Sequence, residues 1–185
     1  MDKSFSQRKP TRLKKFDYST VGAYFVTICV KERRKLLSEI IIPNVADTKG
    51  RTNFEFVGDG ALDVPQIRLT ELGEIVEKYL LSSENIPNVT LDEYVIMPDH
   101  IHAIIFIQKQ ETGTSRAPSP TPANEALPHI VSTFKRFCTK TIGSNIFQRS
   151  YYDHVIRDRE DYETRKKYIC ENPIKWYYDK IYEDE

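Results

Sequence analysis

Two histidines separated by one apolar residue are the part of this sequence best suited to chemistry. His100 and His102 flank Ile101 in a run of apolar residues that extends to Ile107. Successive side chains of a β-strand point to opposite faces, so residues two apart share a face. Both imidazoles therefore project to one side, and two imidazoles on a rigid strand provide half of a site for a divalent metal ion. The alternative is a pair of half-buried histidines that are hydrogen bonded to their neighbours.

The residues before the pair indicate where its strand begins. Pro98 fixes φ and Asp99 tolerates turn geometry, so the segment 97–99 is typical of a tight turn. Apolar runs at 89–97 and 101–107 meet at this turn, which predicts a β-hairpin. The second strand is apolar on both faces apart from the histidines, so we expect it to be central in a sheet.

A tyrosine and an asparagine near the C-terminus share one face of a predicted helix. Asp158 suits the N-cap of this helix, and Pro173 disfavours helical geometry at Asn172, so we expect the helix to end there. Tyr168 and Asn172 are four residues apart, whereas Tyr162 lies about 240° around the helix from Tyr168 at 3.6 residues per turn. The two tyrosines therefore cannot face one site. Because the chain has 11 tyrosines, the spacing alone does not separate a nucleophile from a packed ring.

These motifs occur with others in an order that resembles the single-tyrosine HUH transposases. That family includes insertion-sequence transposases and the tyrosine transposases associated with repetitive extragenic palindromes (REP). The resemblance runs over nearly the full length of the chain, and the ordered set of motifs is specific. The segments that carry it are Arg12–Lys14, Asp17–Tyr18, Gly22–Cys29, Leu69–Val76, Met97–His102, Gln148–Arg157 and Tyr168–Trp176.

The resemblance implies an α+β, ferredoxin-like fold with a mostly antiparallel central sheet and packed helices. It also implies roles for individual residues. His100 and His102 match the metal-binding pair of the family, Tyr168 matches its nucleophile, and Asn172 falls where the family has a third, polar metal contact. Asp99 stands where the family more often has asparagine, at a position that is not a required ligand. The implied metal is Mg²⁺ or Mn²⁺, and the implied assembly is a homodimer.

The implied activity is cleavage and transfer of single-stranded DNA with hairpin ends. A metal ion would act as a Lewis acid on the scissile phosphate. The Tyr168 hydroxyl would attack phosphorus to give a 5′-phosphotyrosine and a free 3′-hydroxyl. Two other functions stay open from the sequence. One is a domesticated module that binds a DNA hairpin without transposition, and the other is a metal-dependent nuclease that uses water.

The formal net charge of the chain is +0, which by itself argues against a nucleic-acid-binding protein. The distribution of the charged residues along the chain weakens this objection. Basic residues outnumber acidic ones in segments 1–35 and 129–170, and local potential steers a phosphate backbone more than total charge does. Tyr151, Tyr152 and Phe147 could stack on bases or pack in the core. The candidates for contacts with DNA phosphates are basic residues of these segments: Arg8, Lys9, Arg12, Lys14, Lys15, Arg33, Arg34, Lys135, Arg136 and Arg149.

Bulk properties predict one soluble, cytoplasmic domain spanning residues 1–185. We expect a basic arm at 1–20, a Pro-rich surface loop at 111–128 and an acidic tail at 177–185. No run of about twenty apolar residues could span a bilayer, and the N-terminus lacks the apolar core of a signal peptide. The 3 cysteines are scattered and form no zinc spacing, which favours a reduced protein with Cys29 and Cys138 in the core.

Periodicity predicts the other elements that must position the site. We expect a strand at 24–30, a short strand at 54–57, a helix capped by Thr70 through about Ser83, a helix at about 128–142, and an extended edge segment at 147–156. In the second helix the apolar residues should face the core: Ile130, Val131, Phe134, Phe137 and Cys138. Its basic residues should face solvent: Lys135, Arg136 and Lys140.

Overall fold

The computed structural model of the chain describes residues 21–41, 65–108 and 126–183. The elements in these ranges are β1 (Gly22–Cys29), β2 (Ser38–Ile41), β3 (Gln66–Leu69), α1 (Glu71–Leu81), β4 (Val89–Ile96), β5 (His100–Ile107), α2 (Ala126–Ile142), β6 (Tyr152–Ile156) and α3 (Arg159–Glu183). None of these three helices combines the length and the apolar character that crossing a membrane requires.

Four antiparallel strands form the main sheet, in the order β4-β5-β1-β6. Strands β2 and β3 pair with each other in a separate two-stranded sheet. The hairpin of β4 and β5 is confirmed, and β5 is an inner strand, as its apolar faces predict. Strand β6 lies at the edge, although it begins only at Tyr152. The architecture is α+β, as predicted.

Strand alternation divides the core into two apolar layers. One face of β1 and β5 contributes residues such as Val26 and Ile105 to a layer with α1 and α2. The other face contributes Phe25 and Ile104 to a smaller layer with Ile169 of α3. The histidines of β5 occupy even-numbered positions, as Ile104 does, so they lie on the face that α3 covers.

Helix α1 begins as predicted, with Thr70 as its N-cap. The Thr70 hydroxyl oxygen accepts a hydrogen bond from the Gly73 N–H at 3.1 Å and donates one to the Leu36 carbonyl at 2.7 Å. A Cβ atom on Gly73 would lie 2.0 Å from the carbonyl oxygen of Leu37. Glycine is therefore required where α1 approaches this backbone.

Helix α3 does not end at Asn172, so that prediction was wrong; the helix continues to Glu183. A proline inside a helix removes a backbone donor and costs about 3 kcal/mol. Ile169 and Trp176, on either side of Pro173, both pack into the layer beneath α3, and this burial offsets the loss. The predicted acidic tail is thus helical through residue 183.

Helix α2 also departs from its predicted limits. It begins at Ala126, so residues 126–128 belong to the helix and not to the Pro-rich loop. Proline is tolerated in the first turn because the N–H groups there have no intrahelical acceptor. Phe137 does not face the core; 39% of it is exposed, because its ring stacks on Tyr79 instead.

Cys29 and Cys138 are buried, as predicted. The predicted arm at 1–20, the strand at 54–57 and the loop residues 111–125 lie outside the described residues.

Gly73→Ala should destabilise the fold by about 1–3 kcal/mol, the usual cost of overpacking. In an unconstrained helix the same change is stabilising by roughly 0.5–1 kcal/mol, so the sign of the effect tests the contact. Thermal and urea denaturation would measure it, with exposed Glu74→Ala as the control. An unchanged or raised Tm for Gly73→Ala would contradict the close approach of α1 to Leu37.

Candidate active site

The two histidines begin β5 directly after a turn that the neighbouring chain segment holds in place. The Asp99 carbonyl accepts a hydrogen bond from the Val30 N–H at 2.8 Å. The Pro98 carbonyl accepts two more, from the N–H groups of residues 36 and 37, at 2.8 Å and 3.0 Å. These bonds fix the turn and therefore the position of the first residue of β5.

The two imidazoles converge on one point. The Nε2 atoms of His100 and His102 lie 3.0 Å apart, and both residues are buried. His100 Nδ1 donates to the Asp99 carboxylate, while His102 Nδ1 is hydrogen bonded to the Thr27 hydroxyl at 2.8 Å. Because a carboxylate only accepts, a neutral His100 keeps its proton on Nδ1 and leaves Nε2 unprotonated. Thr27 can hold His102 in the same tautomer.

The electrostatics of the pair suit metal binding. Burial, followed by the charge that His100 carries when it is protonated and by the charge of Arg33, lowers the pKa of His102 to about 3. Its imidazole is therefore neutral at physiological pH, which is the form that binds a metal ion. When both imidazoles are neutral, their two Nε2 atoms face each other without protons and favour a cation in front of them, so these residues fit a divalent metal.

Within the described residues, a third protein ligand would have to be of another type. No group of three or more His, Cys, Asp or Glu side chains in the described ranges could hold a metal ion. Asn172 is buried and lines the same pocket as the two histidines. Its amide oxygen is a ligand type that Mg²⁺ and Mn²⁺ accept. Two imidazoles and one amide oxygen leave coordination positions open for a phosphate.

Helix α3 presents a row of side chains to the histidines. Tyr168, Asn172 and Trp176 are spaced four residues apart, share one helical face, and line a pocket of about 750 Å³ with the histidine pair. The Tyr168 ring centroid lies 5.1 Å from that of His102 in an edge-on arrangement, and 40% of Tyr168 is exposed. The Trp176 centroid lies 5.9 Å from that of His100. Tyr168 is thus both accessible and adjacent to the imidazoles.

Tyr162 lies on another side of α3, as the helical spacing predicts. Its hydroxyl donates to the Asp92 carboxylate at 2.7 Å, and its ring centroid lies 6.1 Å from that of Phe106. Tyr162 does not line the pocket. Its contacts attach the first turns of α3 to the sheet.

Cationic side chains stand at the edge of the pocket. Arg33 Nε pairs with the second carboxylate oxygen of Asp99 at 3.1 Å, and Arg33 Nη1 donates to Cys29 Sγ at 3.1 Å. Lys175 Nζ lies 5.8 Å from the centroid of the Tyr168 ring. Both cations line the cavity, but each is already paired with a carboxylate, Arg33 with Asp99 and Lys175 with Glu171, and Asp179 lines the same cavity, so the positive charge there is partly compensated.

Comparisons with known proteins relate the chain to two proteins of Haemophilus influenzae and to a solved structure. No family model matches the chain. A Haemophilus influenzae Rd protein without an assigned function is 33% identical over 194 residues, which cover 96% of this chain and 94% of that protein. A second H. influenzae Rd protein, named "Putative REP-associated tyrosine transposase", is 29% identical over 115 residues, which cover 61% of this chain and 65% of that protein.

The chain belongs to the REP-associated tyrosine transposase family.

A solved structure shares the fold of this family member. It is a REP-associated tyrosine transposase bound to a REP hairpin, with a TM-score of 0.54 and 18% sequence identity. The match covers 92% of this chain and 74% of that chain. The four-stranded antiparallel sheet with packed helices is therefore the fold that the two proteins have in common.

The structure brings the predicted site residues of this family member into two places. His100, His102, Asn172, Tyr168 and Arg33 line the pocket. Three predicted DNA contacts line a separate groove beside α2: Lys135, Arg136 and Arg149. Arg34 is exposed and lines neither cavity. The other predicted contacts lie outside the described residues: Arg8, Lys9, Arg12, Lys14 and Lys15.

Lys135 is only partly exposed, which corrects the prediction that it faces solvent. Its ammonium group donates to the carbonyls of Gln148 at 2.8 Å and Ser150 at 3.1 Å. Burial lowers the pKa of Lys135 to about 8. The carbonyl groups of Gln148 and Ser150 therefore hold the Lys135 side chain, which the helical pattern alone predicts to lie at the surface.

Of the three aromatic candidates for base stacking, only Tyr152 lines the pocket, whereas Phe147 is fully buried and Tyr151 is partly buried against the core.

Sequence reasoning missed two kinds of pocket residue. Lys175 and Trp176 were hidden by the predicted helix end, although continuing the four-residue spacing past Pro173 would have found Trp176. Thr27 was missed because it meets His102 only through the pairing of β1 with β5. That register is not readable from either strand alone.

Asp99→Ala and Thr27→Val should each weaken Mn²⁺ binding. Each change removes a partner that orients a ligating imidazole, which typically costs about 10–100-fold in metal affinity. Calorimetric titration of the purified protein would measure the change, with Glu163→Ala on the exposed side of α3 as the control. Affinities equal to that of the control would show that the two side chains do not orient the histidines.

Proposed function

We propose that the protein cleaves and rejoins single-stranded DNA through a covalent bond between Tyr168 and a 5′-phosphate. One observation carries this proposal. Tyr168 lies edge-on to His102 with 5.1 Å between ring centroids, in the pocket that His100 and Asn172 also line. A hydroxyl nucleophile beside two converging imidazoles is what metal-assisted phosphoryl transfer requires.

His100, His102 and Asn172 would hold the metal ion, which we propose to be Mg²⁺ or Mn²⁺. When bound, the ion supplies Lewis-acid polarisation of the scissile phosphate. Asp99 and Thr27 keep the imidazole nitrogens aimed at the binding point through their hydrogen bonds to Nδ1. Arg33 and Lys175 line the edge of the pocket, where they would contact the phosphate while remaining paired with Asp99 and Glu171.

The covalent step forms one bond to phosphorus and breaks another. The Tyr168 oxygen forms a bond to phosphorus, the bond from phosphorus to the 3′-oxygen breaks, the phenolic proton leaves, and the 3′-oxygen gains a proton. The product is a 5′-phosphotyrosine and a free 3′-hydroxyl. Because one phosphate ester replaces another, the 3′-hydroxyl of a second strand can attack the phosphotyrosine and rejoin DNA.

The proposed substrate is single-stranded DNA next to a hairpin. The solved relative is bound to a REP hairpin, and we extend that substrate class to this chain. In-line attack needs an exposed backbone, and the pocket that Tyr168 lines has a volume of about 750 Å³. Tyr152, 56% exposed at this pocket, offers a ring for a base. Such a substrate places the protein in the cytoplasm.

We further propose that Tyr168 acts in its own subunit. The tyrosine and the histidines of one chain already share a pocket, so a partner is not needed to complete the site. The homodimer implied by the family resemblance stays a prediction. Mixing a Tyr168→Phe chain with a His100→Ala chain would test it, because restored cleavage requires a site shared between subunits.

Tyr168→Phe should abolish the covalent adduct while leaving the fold and the Mn²⁺ affinity nearly unchanged, because one oxygen atom is removed from an accessible ring. Tyr162→Phe is the matched control, since it removes the same atom from the same helix and should still form the adduct. The assay is incubation with hairpin oligonucleotides and Mn²⁺, followed by a denaturing gel and peptide mapping.

The assay also separates the other functions. A hairpin-binding module would bind the oligonucleotide without nicking it, and a nuclease that uses water would nick it without an adduct in any variant. DNA mapped to Tyr162, or to no tyrosine, would overturn the assignment of Tyr168.

His100→Ala and His102→Ala should abolish cleavage but leave DNA affinity largely intact, because most of the affinity for a strand comes from Lys and Arg contacts with phosphates. Gel-shift and nicking assays on the same preparations would separate the two effects. Full nicking by the double variant in metal-stripped buffer would exclude the metal site.

A further inference from the structure

A basic groove lies beside α2, outside the pocket described above. Its volume is about 1050 Å³. Among the described residues that line it there is no Asp or Glu, and five are cationic: Lys31, Lys135, Arg136, Lys140 and Arg149. A cavity lined in this way attracts a polyanion.

Most of these charges have no acidic partner. Lys135 is held by backbone carbonyls, and the other four cations make no ion pair within the described ranges. On α3, in contrast, four cations are each paired with an acid of the same helix: Arg159 with Glu163, Arg165 with Asp161, and Lys167 and Lys175 with Glu171. The uncompensated positive charge of these two helices is therefore concentrated on α2.

The groove adjoins the catalytic pocket at Gln148, which lines both cavities. The Gln148 N–H donates to the Cys29 carbonyl at 2.8 Å, and its side-chain amide donates to the Val30 carbonyl at 3.2 Å. Its own carbonyl accepts from Lys135. Gln148 is thus a fixed boundary, and a strand that leaves the pocket past it enters the groove.

A stacked aromatic pair joins α2 to α1 and lines a cavity of its own, next to the groove but not part of its lining. Phe137, 39% exposed, stacks on Tyr79 of α1 with ring centroids 5.6 Å apart and planes inclined by 12°. The Tyr79 hydroxyl is hydrogen bonded to the Thr141 hydroxyl at 2.6 Å, and this bond fixes the position of the Tyr79 ring. The Arg136 guanidinium lies 5.2 Å from the Phe137 centroid. Arg136 therefore belongs to both the groove and the aromatic pair.

We propose that the groove and the Phe137–Tyr79 pair form a second binding site for single-stranded DNA, continuous with the catalytic pocket. Phosphates of the strand contact Arg136, Lys140 and Arg149, and a base stacks on Phe137. A basic channel with an aromatic platform is how proteins hold single strands without reading their sequence. The inference rests on the proposed function, because the strand in the groove is the one that Tyr168 cleaves.

Fluorescence anisotropy with labelled oligo(dT) tests the site. Typical single-strand sites cover roughly 4–16 nucleotides. One probe, about 6 nucleotides long, is near the lower limit of this range, and the other, about 20 nucleotides long, exceeds the upper limit. The protein should bind the long probe more tightly. Phe137→Ala should weaken binding of the long probe about 5- to 100-fold, the usual loss for one stacking contact, and should leave the short probe unaffected.

Matched controls keep the test specific. Tyr178→Ala removes an aromatic side chain of α3 that is 43% exposed and lines neither cavity, so it should bind both probes normally. For the long probe, Arg136→Ala and Lys140→Ala should each reduce the magnitude of the slope of log binding constant against log salt concentration by about 0.7. Lys167→Ala should leave this slope unchanged. Phe137→Leu keeps the apolar volume but removes the ring, so it checks that a loss of affinity is not a loss of folding.

Two readouts separate this inference from the proposed function. Phe137→Ala should form the Tyr168 adduct with a short hairpin oligonucleotide as the unmodified protein does. If Phe137→Ala and Tyr178→Ala bind the long probe equally well, the second site is refuted while the adduct still supports cleavage. Weakened long-probe binding by Phe137→Ala without any adduct in the unmodified protein would support the site and refute the chemistry.

Discussion

The antiparallel pairing of β5 with β1 is the interaction on which the candidate site depends. It sets Thr27 opposite His102 and Cys29 opposite His100, so that one strand carries the imidazoles and the other supplies the hydroxyl that orients one of them. A slip of one residue would turn every side chain of β5 to the other face. The imidazoles would then enter the apolar layer beneath α1 and α2, where they would lose their hydrogen bonds. The bond from Val30 to the turn before β5 fixes the register at the point where it matters for His100.

The second constraint is the attachment of α3, because the nucleophile candidate lies on it. Burying one large apolar side chain is worth about 1.5–3 kcal/mol, while a proline inside a helix costs about 3 kcal/mol. Ile169 is buried and Trp176 is partly buried on either side of Pro173, and their combined burial offsets the cost of keeping the helix continuous through the proline. A helix that ended at Asn172 would lose Trp176 from the pocket and one of the two anchors that hold Tyr168 beside His102.

The sequence was informative wherever a single element decides the outcome. The histidine pair shares a face because strands alternate, and the Tyr168 helix presents its nucleophile candidate because helices repeat every 3.6 residues; both follow from local geometry. The failures all involve contacts between elements. Burial around Pro173 overrode the local rule that a proline ends a helix, and Thr27 could be found only from the strand register. Lys135 is partly buried because the carbonyls of residues 148–150 accept hydrogen bonds from its ammonium group. Tertiary structure supplied these partners, and no pattern within α2 or α3 contains them.

The distribution of charge resolves the apparent conflict between a neutral chain and a DNA substrate. Cations on α3 are neutralised by acids on that helix and on β4, as in the pair of Lys166 with Glu93, which stabilises the helix against the sheet and leaves little free charge on it. The uncompensated cations lie instead beside α2, one boundary residue away from the pocket. On the proposed function, a strand held there stays bound after its backbone is cut. Its new 3′-end then remains at a high effective concentration near the phosphotyrosine, which is what rejoining requires and what a nuclease that releases its product does not need.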